Sequence, residues 1–171
     1  PEVSGPSWSF RLYTAARSQR AGHPEPCAAT FPDSWLTDHG SDPDAMAAAY
    51  LCASTTEDLR RANALLARIS EPLEFGPGLY HAFLTMSAQD GRRTLEILDR
   101  LEPIERVPSE VRSEVLRHIG NLRLGALLDL GDLDAVFAMA NTEAAGPEQR
   151  YNAAVALWNA RRITQARKVF R

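Results

Sequence analysis

From about residue 45 onward, apolar side chains recur at intervals of three and four, the spacing that lines one face of an α-helix. Asp44 is the expected N-cap of a helix over 45–53. Thr56 is the expected cap of a second over 57–69, where Leu59, Ala62, Leu66 and Ile69 keep the helical interval. Pro72 closes that unit. Gly76-Pro77-Gly78 reads as a turn before a helix over 79–88, and Asp90-Gly91 as a break before 92–101. Pro103 and Pro108 bracket a connector. Ser109 then caps a long helix whose apolar side is Val111, Val115, Ile119, Leu122, Leu124, Leu127 and Leu128. Gly131 ends it, Asp132 caps 133–140, and Gly146-Pro147 opens a last pair, 148–159 and 163–170. No stretch shows the β-branched alternation of a strand, so the expected class is all-α.

The turns inside successive pairs fall near Thr56, Gly91, Gly131 and Arg161, with spacings of 35, 40 and 30 residues. A period of about 35 belongs to stacked helix–turn–helix units. Such a unit cannot bury its apolar face alone, so about four antiparallel pairs over 45–171 would stack into an α-solenoid with a concave side. Residues 1–44 differ. They hold six of the eleven prolines, which excludes a long helix across 23–43. A short helix over 7–20 would bury Trp8, Leu12 and Ala16 before Gly22. With Phe10, Tyr13, Phe31 and Trp35, the segment reads as an irregular, Pro-rich N-terminal cap.

Composition narrows the class. Hydrophobic residues make up 44% of the chain, too many for general disorder, and two cysteines are too few for a disulfide scaffold. No apolar run reaches the ~18 residues of a membrane span. The 26 alanines and 20 leucines favour helix. The chain begins at Pro1 without a leader-like pattern and finishes inside a predicted helix, so a piece of something longer is expected. On the same ground the expected location is cytoplasmic, with Cys27 and Cys52 as free thiols and a disulfide between them as the alternative. Charge is uneven: residues 1–149 hold all 22 acidic groups against 13 basic ones, a net of −9. Residues 150–171 hold Arg150, Arg161, Arg162, Arg167, Lys168 and Arg171 and no acid, a net of +6. That basic end suits the acidic body or the next segment of a longer chain, or else an acidic partner or RNA.

The segment RYNAAVALWNARRITQARKVFR, with Ala154, Leu157, a turn at Arg161, Ala166 and Phe170, resembles a tetratricopeptide repeat. Residues 122–140 resemble it through Leu127, Gly131 and Val136. The resemblance implies a right-handed solenoid in which Ala154 and Ala166 let two helices approach and Phe170 fills the joint to the next unit. It also implies that the first helix of each pair lines the concave face, which would carry His118, Asn121, Tyr151, Val155, Trp158 and Asn159. The string ITQARKVF is similar to the second helix of a pentatricopeptide repeat, a family that reads single-stranded RNA. The acidic body favours protein over RNA as partner.

Catalytic chemistry finds no constellation. His23-Pro24-Glu25-Pro26-Cys27 lacks the second cysteine of a zinc deaminase site, and His39, His81 and His118 have no i, i+4 partner. Asp129, Asp132 and Asp134 do not have the spacing of a calcium loop, and Gly76-Pro77-Gly78 has no Lys-Ser behind it. The expectation is therefore a non-enzymatic scaffold or adaptor without metal or cofactor. It would bind a peptide or neighbouring subunit through the concave residues and the basic Arg162, Arg167 and Lys168. RNA binding, or a structural place in a large assembly through the terminal repeat, are the alternatives.

Overall fold

A left-handed residue followed by a helix cap recurs through the structure, a computed structural model that describes residues 27–55, 57–70 and 72–170. The helices are α1 (Cys27–Thr30), α2 (Asp33–His39), α3 (Pro43–Thr55), α4 (Leu59–Leu66), α5 (Phe75–Ser87), α6 (Gly91–Asp99), α7 (Ser109–Asp129), α8 (Leu133–Ala140), α9 (Pro147–Asn159) and α10 (Ile163–Val169). A 3₁₀ turn, Ile104–Arg106, sits between Pro103 and Pro108. The described chain is all-α, and among the described residues no helix is long and apolar enough to cross a membrane.

Between α3 and α4, α5 and α6, α7 and α8, and α9 and α10 the backbone repeats one motif. Glu57, Gln89, Gly131 and Arg161 take φ of 61°, 56°, 69° and 60°. In each case the next amide reaches back five residues: Asp58 to Ala53, Asp90 to Thr85, Asp132 to Leu127 and Arg162 to Leu157, at 2.8–3.0 Å. The left-handed residue's own amide reaches back three, to Ser54, Met86, Leu128 and Trp158. This is a Schellman closure, which satisfies carbonyls a helix end would otherwise leave open. The following residue then starts the second helix. Asp58, Asp90 and Asp132 each accept from the backbone amide three residues on, at 3.0 Å. Arg162 occupies the same place without a side-chain cap. The left-handed positions are thus 32, 42 and 30 residues apart.

Several expected boundaries shift for physical reasons. Thr56 is outside the described residues, and the cap it was expected to provide comes from Asp58. α3 begins at Pro43, whose missing amide is no loss there, and Asp42 accepts from Ala45 at 3.4 Å where Asp44 was expected to cap. Gly76-Pro77-Gly78 is not a turn but the first turn of α5, where proline again removes only an amide without an intrahelical partner. Ser109 is the first residue of α7 rather than its cap, because Pro108 already supplies the extended cap conformation. Of α7's expected apolar side, Leu124 is buried but Val111 is exposed. The irregular cap expected before residue 44 contains α1 and α2, with Pro32 as the entry to α2. The helix expected over 7–20 lies outside the described residues.

The chain divides into two compact units, 1–81 and 82–171, the boundary falling within α5. In the first, α1 and α2 pack on α3 and α3 on α4, burying Phe31, Leu36, Ala49, Ala53, Ala62 and Leu66. Arg61 of α4 donates to the carbonyl of Phe31 and lies 3.5 Å from Asp33. His81 is fully buried, its Nδ1 2.7 Å from the Tyr50 hydroxyl and its Nε2 3.1 Å from Asn63 Oδ1, so both ring nitrogens have a polar partner. Tyr80 donates to Glu57, a bond that with slight burial and the carboxylate's charge raises its pKa above 10.0. Cys52 is disulfide-bonded, not the expected free thiol. In the second unit, Leu124, Val136, Ala140, Ala153, Ala154, Leu157, Ala166 and Val169 form one buried cluster.

Gly91 is not a turn residue. It begins α6, its amide donates to Asp129 of α7 at 2.9 Å, and a Cβ there would lie 2.6 Å from the Ala126 carbonyl. Gly91→Ala is expected to lower unfolding free energy by about 2 kcal/mol in urea titration, since backbone cannot yield as a side chain does. Gln89→Gly should act oppositely. It relieves a left-handed side chain worth 1–2 kcal/mol against the greater chain entropy of glycine, a net gain of about 0.5 kcal/mol in the same assay. Cys52 should resist alkylation in denaturant until reductant is added, as read by intact-mass spectrometry.

Candidate functional site

α9 is entered through Gly146, whose amide donates to Gln149 Oε1 at 3.1 Å, with Pro147 at the first helical position. Its sequence then sorts into two faces. Ala153, Ala154 and Leu157 are buried in the cluster, whereas Tyr151, Val155 and Trp158 are 58%, 41% and 55% exposed. Intervals of four and three keep these three on one stripe. Phe170, just past α10, is 69% exposed.

Two recesses flank this stripe and share Val155 and Asn159. The first, about 420 Å³, runs between α7 and α9 and is lined by Asn121, Leu124, Gly125, Leu128, Tyr151 and Asn152. The second, about 410 Å³, lies on α9 and α10 between Ala154, Trp158, Ala166, Arg167 and Phe170. Tyr151 and Phe170 also border a third hollow of about 610 Å³ with Pro147 and Arg150. Exposed aromatic and aliphatic side chains beside amide groups can take up an apolar side chain while satisfying polar atoms at its rim.

The charged groups are arranged unequally. Asn121 Nδ2 donates to Glu148 at 3.0 Å, and Arg117 lies 3.9 Å from the same carboxylate, so the first recess has an internally neutralised edge. Arg162 pairs with Asp134 of α8. Lys168 Nζ stands 5.7 Å from the Phe137 ring centre, and Arg150 donates to the Thr142 carbonyl. Arg161 and Arg167 are exposed and make no ion pair among the described residues. Exposed pairs of this kind contribute at most about 1 kcal/mol each.

Of the residues singled out from sequence, Asn121, Tyr151, Val155 and Asn159 meet at the first recess, and Val155, Trp158, Asn159 and Arg167 at the second. His118 borders neither; it is exposed, 3.6 Å from Glu114 on its own helix. Arg162 and Lys168 engage α8 instead. Phe170, which the resemblance sets at the joint to a next unit, is 69% exposed, and its neighbour Val169 is 2% exposed. Leu128 and Gly125, missed from sequence as lining residues, could have been found by carrying the α9 stripe back to α7.

Among the described residues no three metal-binding side chains gather. Asp129, Asp132 and Asp134 are occupied with Gly91, Ala135 and Arg162. Compared with known proteins, the chain matches no family model, and neither curated proteins nor solved structures give a match.

Proposed function

We propose that this chain is a non-enzymatic scaffold or adaptor of the tetratricopeptide type, holding a peptide segment or a neighbouring subunit on α9 and α10. The observation that carries it is the continuous exposed series Tyr151, Val155, Trp158 and Phe170 over recesses of about 420 and 410 Å³. Large aromatic side chains that remain half-exposed beside a fully packed core are the commonest anchors of protein interfaces. The recurring Schellman turn and cap support stacked helix pairs as the architecture. Small buried Ala154 and Ala166 support the close crossing of α9 and α10 that the family uses. The disulfide at Cys52 favours maturation in an oxidising compartment over the cytoplasm.

The test is capture of partners from the source organism on the native chain and on a Tyr151→Ala, Trp158→Ala double variant, each with and without nuclease. The expected outcome is a protein set that survives nuclease and falls at least about ten-fold on the double variant. Unchanged capture by a double variant with native helical circular dichroism would overturn the assignment.

A further inference from the structure

We draw no further inference here: the strongest candidate, the recess between α7 and α9 over Leu124, Gly125, Leu128 and Val155, belongs to the site already described, and nothing in the structure shows what covers it.

Discussion

The structure depends on how a helix is ended. Four times the chain enters the left-handed region for one residue, returns two backbone amides to the finished helix, and launches the next from the following residue. Because the closure involves main-chain groups, it fixes the rotation of the second helix relative to the first with little regard to side chains. That fixed geometry is why the positions five residues after the left-handed one, Ala62, Thr94, Val136 and Ala166, are all buried. Of the positions four before it, Ala53, Thr85 and Leu157 are fully buried and Leu127 is half-buried against the core cluster. The packing follows from the turn.

This also explains how much could be read from the sequence. The all-helical class and most helix locations follow from the apolar interval, and Gly131-Asp132 was legible because glycine announces the left-handed region and aspartate the cap. At Glu57-Asp58 and Gln89-Asp90 the same turn is built without glycine, so the sequence pattern points to Thr56 and Gly91, one residue early and two late. The informative residue was the aspartate. Gly91 misled for another reason: its lack of a side chain answers to the α7 backbone beside it, a contact thirty-five residues away from Ala126 that no local pattern carries.

The recesses were partly legible. Helical spacing alone sets Tyr151, Val155 and Trp158 on one stripe. Whether such a stripe is core or surface is decided by what packs on it, which separated Trp158 from Leu157 and Phe170 from Val169. Arg162 and Lys168 read as available cations because their answering groups, Asp134 and the Phe137 ring, sit on another helix. Compartment and cysteine count favour a free thiol at Cys52, and neither carries the disulfide found there.

Asp129 has a wider consequence. Its carboxylate accepts the first amide of α6, and Arg123 meets Asp99 at the other end of that helix at 2.7 Å. α7 therefore holds α6 at both termini, in the way a helix normally holds itself through its own caps. Each pair is completed by its neighbour, and the free energy of the joint belongs to neither alone. Fraying of one pair exposes the termini of the one before it, so the second unit melts as a coupled row rather than as independent hairpins.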